Sequence, residues 1–327
     1  MNRTRIVATI LFAAALASCD RSPGGAGQSD SPGAPSPRVG ANDSHAVYTT
    51  FYPTAYFASR IAGSKVRVVC PLPYGEDPIL WQPSREVIAE FQRAALIVTN
   101  GADFEKWVST ASLPRSRVVE SARSLQGSYV TFKTVTHKHG LGGAHTHEGI
   151  DGHTWVDPVN ATQQARDILG AMCARFPEHV SSFTDNFDAL VRDLQSLHEE
   201  FAELTAPAEE VQLFASHPAY NYPSRRYNLN ITNVALDPDA EATEDDFKSV
   251  ADALAASGTK RTAVMLWESE PLPANVRTLR ERFGVRSVVF SPCESVNEAD
   301  AAAGRDYVSV MRQNIKDLRD AMAESSR

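Results

Sequence analysis

Apolar positions along this chain keep two rhythms, and the rhythms take turns. Short apolar or β-branched runs read as strands: Ala46–Phe51, Lys65–Cys70, Ala95–Thr99, Val118–Val119 and Tyr129–Val135. Helix signals stand between them. Pro53 opens a helix through about Ile61, Ser84 caps another to about Arg93, and Phe104–Thr110 predicts a short one. The second half repeats the rhythm, with strands at Val211–Ser216, Ile231–Ala235, Thr262–Trp267 and Arg286–Phe290. Its helices run from Pro218 to about Tyr227, from a Thr243 cap to about Ala256, over Ala274–Phe283, and over Asp306–Ala323. Strands alternating with helices predict βαβ units and mostly parallel sheets.

The middle of the chain breaks this pattern. Asn160–Arg175 is helical, and Pro177 starts a longer helix to about Leu204. Phe183, Phe187, Leu190, Leu194, Leu197, Phe201 and Leu204 fall at alternating spacings of four and three, which is one helix face. Roughly 27 residues make a rod of about 40 Å. It reads as a long core helix or as a rigid spine between two lobes. The predicted fold is therefore α/β, with two parallel-sheet lobes joined by a long helix: lobe 45–158, linking helices 159–206, lobe 207–327. No internal repeat is legible.

The N-terminus adds a compartment. Arg3 and Arg5 precede an apolar run, Ile6–Ala17, shorter than the ~20 residues that span a bilayer. The run ends in Leu16-Ala17-Ser18-Cys19, which is similar to the lipobox of bacterial lipoproteins. This predicts a signal peptide over 1–18, lipid on Cys19, and an extracytoplasmic protein held at a membrane. Residues 19–44 are rich in Gly, Ser and Pro and read as a disordered tether. The formal net charge is -8, with no long basic cluster, which sets nucleic acid aside as a partner. Cys70, Cys173 and Cys293 remain, an odd number that allows at most one disulfide and is read as small buried thiols.

Chemistry concentrates in Thr136–Pro158, where five of the nine histidines fall among glycines. The Gly/His part has no apolar period, so it predicts a mobile loop rather than a helix or strand. His137/His139 and His145/His147 form His-x-His pairs, an accessory set of metal ligands, since imidazole suits borderline metals. In open α/β sheets, ligands sit beyond the carboxyl ends of the strands. His217 stands at one such end, Glu268 and Glu270 at a second, and Cys293 and Glu294 at a third. If both lobes present these ends to one cleft, His153 and His217 face each other across it. Two imidazoles with one or two carboxylates make a zinc site. Asp157, before Pro158, reads as a helix cap. His-Glu-x-x-His, Gly-x-Ser-x-Gly and Walker motifs do not occur, so a binding protein outranks a hydrolase.

Several stretches carry a family likeness: Phe51-Tyr52-Pro53, Pro73-Tyr74-Gly75-Glu76-Asp77-Pro78, Ala95–Gly101, Gly152-His153-Thr154-Trp155-Val156-Asp157-Pro158, and Ser216-His217-Pro218-Ala219-Tyr220 with Arg225-Arg226-Tyr227. In these the chain resembles the metal-binding lipoproteins of zinc and manganese ABC importers. The resemblance implies two α/β lobes on one long rigid helix, capture of Zn²⁺ or Mn²⁺, and delivery, as a monomer, to a permease with its ATPase. It implies His153 and His217 as ligands. Two positions depart from the family pattern: Ile79 stands where a ligand histidine is usual, and Ser291 where a ligand aspartate is usual. Glu268 and Glu294 are the carboxylates read as replacements, with a loop histidine as a substitute for position 79. An extracytoplasmic zinc hydrolase using Glu268 or Glu270 as base, and a metal buffer or adhesin, are the alternatives.

Overall fold

Buried apolar runs with helices on both faces force parallel sheets, and two such sheets form. The computed structural model describes residues 45–139, 143–204, 210–256, 262–296, 300 and 302–323, with backbone alone for 132–139 and 143–148. The signal segment, Cys19 and the tether lie outside the described residues. Residues 42–327 fall within one compact unit.

The first sheet contains β1 (Val47–Thr49), β2 (Val68–Val69), β3 (Leu96–Thr99) and β4 (Val118–Glu120), all parallel, in the order β2-β1-β3-β4. The second contains β7 (Val211–Ala215), β8 (Ile231–Asn233), β9 (Thr262–Trp267) and β10 (Val285–Val289), also parallel, in the order β10-β9-β7-β8. Counted from its own first strand, each sheet runs second-first-third-fourth. The two lobes are thus topological repeats, a relation the sequence did not display. The central strands β1, β3 and β7 are buried at every residue. The predicted strand Lys65–Cys70 shrinks to two half-buried residues, because β2 is an edge strand with one partner.

The helices are α1 (Tyr52–Ala62), α2 (Arg85–Arg93), α3 (Pro158–Arg175), α4 (Val180–Ala202), α5 (Asn221–Tyr227), α6 (Glu244–Ala256), α7 (Pro273–Phe283) and α8 (Tyr307–Ala323). Local chemistry sets their starts. Ser84 Oγ accepts from Val87 N, and Asp157 accepts from Val159 N and Asn160 N with Pro158 as the first helical residue. Thr243 and Asp246 cap α6 reciprocally. Phe104–Thr110 yields only a 3₁₀ stretch, Lys106–Ser109, and α5 begins three residues after Pro218.

The 23 residues of α4 make a rod of about 35 Å. Its stripe of Phe183, Phe187, Leu190, Leu194, Leu197 and Phe201 is buried, and each such side chain contributes about 1.5–3 kcal/mol. The helix packs on α1 of the first lobe, on the linking helix α3 and on α8 of the second lobe. One core therefore runs from Val47 and Phe51 through the stripe to Leu213 and Val264.

The described parts of the Gly/His segment are strands rather than a loop. Thr131–His139 (β5) and Gly143–Ile150 (β6) pair antiparallel, with His137 opposite His145 and Val135 opposite His147. An antiparallel ladder is made by backbone groups, so it does not need an apolar period. The β-branched residues Thr131, Val135 and Thr136 start it, and the ladder continues through the histidines.

Candidate metal centre

The hairpin hands the chain directly to the centre. Ile150 ends β6, Asp151 N donates to Val130 O (2.8 Å), and Gly152 and His153 follow. Gly152 permits a close approach: a Cβ there would lie 2.8 Å from the Phe104 ring. Asn100 Nδ2 donates to Gly152 O (2.8 Å), and Thr154 and Gln164 bond Asn100 Oδ1 in turn. Trp155 is fully buried against Phe51 and Phe104, and its Nε1 donates to Pro292 O of the second lobe (2.7 Å). Tyr307 Oη returns a bond to Trp155 O (2.6 Å). The turn bearing His153 is thereby fixed from both lobes.

The remaining groups come from carboxyl ends of neighbouring strands in the second sheet. His217 follows β7 by two residues, and Glu268 follows β9 directly. Beyond β10, Cys293 takes a left-handed conformation (φ 59°) immediately before Glu294. That reversal, rare for a residue with a Cβ, directs Glu294 toward the histidines.

His153 Nε2 lies 3.2 Å from His217 Nε2 and 2.9 Å from Glu294 Oε1, and His217 Nε2 lies 3.9 Å from the same oxygen. Two nitrogens on a tetrahedral zinc, each ~2.0–2.1 Å from it, stand about 3.3 Å apart. One edge of the triangle is near that value, one is shorter by about 0.4 Å and the third longer by about 0.6 Å. Both imidazoles are 1% exposed, whereas the Glu294 side chain is 17% exposed, so the centre opens on its carboxylate side.

Each ring is backed by a carboxylate on its other nitrogen. Asp151 Oδ1 lies 2.8 Å from His153 Nδ1, and Glu268 Oε2 lies 3.4 Å from His217 Nδ1. Both Nε2 atoms therefore turn inward. Lone pairs crowded at these distances repel unless a proton or cation lies among them. For His153, burial disfavours the imidazolium, but hydrogen bonds to Asp151 and Glu294 outweigh it and push the pKa up to about 10.

Of the residues singled out in the sequence, His153, His217 and Glu294 converge. Glu268 sits on the far edge of the His217 ring, and Glu270 is exposed. The side chains of His137, His139, His145 and His147 lie outside the described residues. Cys70, Cys173 and Cys293 are free thiols, of which only Cys293 is fully buried. Ile79 is 6% exposed, and with Ser291, Asp77, Glu268 and Glu294 it lines a cavity of about 240 Å³ beside the cluster. Both departures from the family pattern thus face one space. Asp157 caps α3 and pairs with Arg226. Sequence reasoning missed Asp151; the only available signal was a carboxylate two residues before His153.

A family model described as zinc-uptake complex component A, periplasmic, matches residues 47–321. The chain is 29% identical over 281 residues to the zinc-binding lipoprotein AdcA of Streptococcus pneumoniae, covering 84% of this chain and 55% of that protein. It therefore spans about half the length of that relative. It is 25% identical to the high-affinity zinc uptake system protein ZnuA of Bacillus subtilis, over 86% of this chain and 88% of that one. Among solved structures, the Zn(II)-bound ZnuA-like domain of S. pneumoniae AdcA superposes with a TM-score of 0.71 at 27% identity, covering 84% of this chain and 98% of that one. The fold is also that of the metal-dependent lipoprotein YcdH from B. subtilis (TM-score 0.71, 24% identity, 84% of this chain and 97% of that one).

Proposed function

We propose, from the premise that this chain belongs to the periplasmic zinc-uptake complex component A family, that it is an extracytoplasmic receptor that captures Zn²⁺ and delivers it to an ABC importer permease and its ATPase. The observation that carries the reading is the inward-facing pair of Nε2 atoms with Glu294 Oε1 beside them. His153 comes from the first lobe, and His217 and Glu294 come from the second, so the ion is cargo held between lobes. Glu268 aligns His217 from the far side of the ring. A fourth ligand reaches the ion from the 240 Å³ cavity, as water or as a side chain. The carboxylate contribution also admits Mn²⁺.

The hairpin histidines act as an accessory set of metal ligands. Lipid on Cys19 anchors the receptor, and the tether gives it reach to its permease. Chelator competition tests the assignment: the purified protein binds one zinc tightly, and replacing His153 and His217 together by Ala abolishes that binding. Unchanged affinity in the double variant sinks it. Metal analysis with and without residues 137–147 separates the accessory from the centre: the shortened protein keeps its one tight zinc. Substituting Cys19 by Ala releases the protein from membranes in a fractionation assay.

A further inference from the structure

We infer that Asp151 and Asn221 are positioning residues that align the two histidines as one unit across the lobes. This rests on the metal-centre reading above.

Asp151 is fully buried and touches both halves of the molecule. Its Oδ1 accepts from the His153 backbone N–H (3.0 Å) and faces the ring Nδ1 (2.8 Å). Those two contacts fix both the rotation of the ring and its tautomer, which leaves the Nε2 lone pair for a cation. The other oxygen, Oδ2, accepts from Asn221 Nδ2 (2.9 Å) at the start of α5.

Asn221 does more than satisfy that oxygen. Its Nδ2 also donates to the carbonyl of Pro218 (3.1 Å), the residue after His217. Two oxygens that can only accept, on Asp151 and Pro218, settle which way the amide faces, and its Oδ1 accepts from Asn233 Nδ2 (3.2 Å). One side chain therefore joins the carboxylate behind His153 to the turn that carries His217. Tyr222 reinforces the joint: its Oη donates to Asp151 O (2.7 Å) and accepts from Val130 N (3.3 Å) at the foot of the hairpin. None of these groups points at the ion.

If the lobes part, Asp151 loses its contacts with Asn221 and Tyr222, and His153 loses its rotational restraint. Alignment of the ligands and closure of the lobes are then one event. A receptor built this way holds its ion while closed and loosens both histidines together on opening.

Zinc dissociation constants, measured by chelator competition, and the visible d–d band of the Co²⁺-loaded protein test this. Asp151→Asn weakens zinc roughly 10–100-fold and shifts the Co²⁺ band. Asn221→Ala leaves all three ligating groups and Asp151 in place, yet weakens zinc by about tenfold. Thermal unfolding of the metal-free proteins is the structural control. A lowered unfolding midpoint with zinc affinity and Co²⁺ band unchanged assigns a merely structural role and overturns the inference. If Asp151→Asn does not fold, Asn221→Ala decides alone, and wild-type affinity in it overturns the inference. His153→Ala separates the two levels. Wild-type affinity there removes the metal centre itself. Weakened binding there, with Asp151→Asn and Asn221→Ala unaltered, removes only the positioning role.

Discussion

In the proposed receptor, proton and metal compete for the same lone pair at His153. With its pKa pushed up to about 10, the metal-free ring carries a proton at neutral pH. Zinc must displace that proton, so affinity falls about tenfold for each unit of pH lost below 10, read by zinc titration at pH 6, 7 and 8. Stability of the metal-free protein moves the opposite way. A histidine raised above its unfolded value of about 6.5 contributes stability fully below that pH and loses it as pH rises through the folded value. Thermal unfolding in chelator should therefore weaken between pH 6.5 and 10, over the window in which metal binding strengthens. Glu294 gives a second expectation at this scale. Glu294→Gln keeps the shape and removes the charge, so zinc affinity drops, and the metal-free protein also loses at neutral pH the part of its stability that the pairing of Glu294 with His153 contributes. His153 and His217 were legible in the chain as histidines at a lobe boundary and a strand end. Asp151 was not, because a carboxylate near a histidine means little until the turn through Gly152 puts Oδ1 against Nδ1.

Elements show a similar division. The four-three spacing along α4 predicted a buried stripe, and all six residues from Phe183 to Phe201 are buried. Leu194→Ala should cost about 2–5 kcal/mol in denaturant unfolding, with the spread set by how far the site collapses. Asp157 was legible as a cap from its place before Pro158. Asp157→Ala should cost about 1–2 kcal/mol, since it removes the cap and the ion pair with Arg226. The hairpin failed as a prediction for a physical reason. Side-chain periodicity reports burial, and a ladder of backbone bonds forms without it. Edge strand β2 failed in the other direction: its apolar run promised a buried strand, but its place at the sheet edge left two residues paired.

At the scale of the molecule, α4 is shared by both lobes, and a single core crosses between them. Trp155 reaches Pro292, Tyr307 reaches Trp155, and Asn221 reaches Asp151, so the lobes are tied at the centre as well as along the helix. Closure on the metal is therefore a small motion. Metal-free and metal-bound structures should superpose with only a slight change in lobe angle, and a rotation of tens of degrees contradicts this.

By itself, the sequence determined the two α/β halves, the spine between them and the two central histidines. These follow from local spacing and local chemistry, which a chain carries in one dimension. Tertiary structure alone decided the rest: the repeated strand order, the hairpin, the choice of Glu294 over Glu268 to face both imidazoles, and the carboxylate behind each ring. Those depend on how the chain folds back on itself, from Asp151 against a ring two residues on to Glu294 against a histidine 141 positions away. No spacing encodes such a meeting, because it is set by how the sheets twist and the lobes pack.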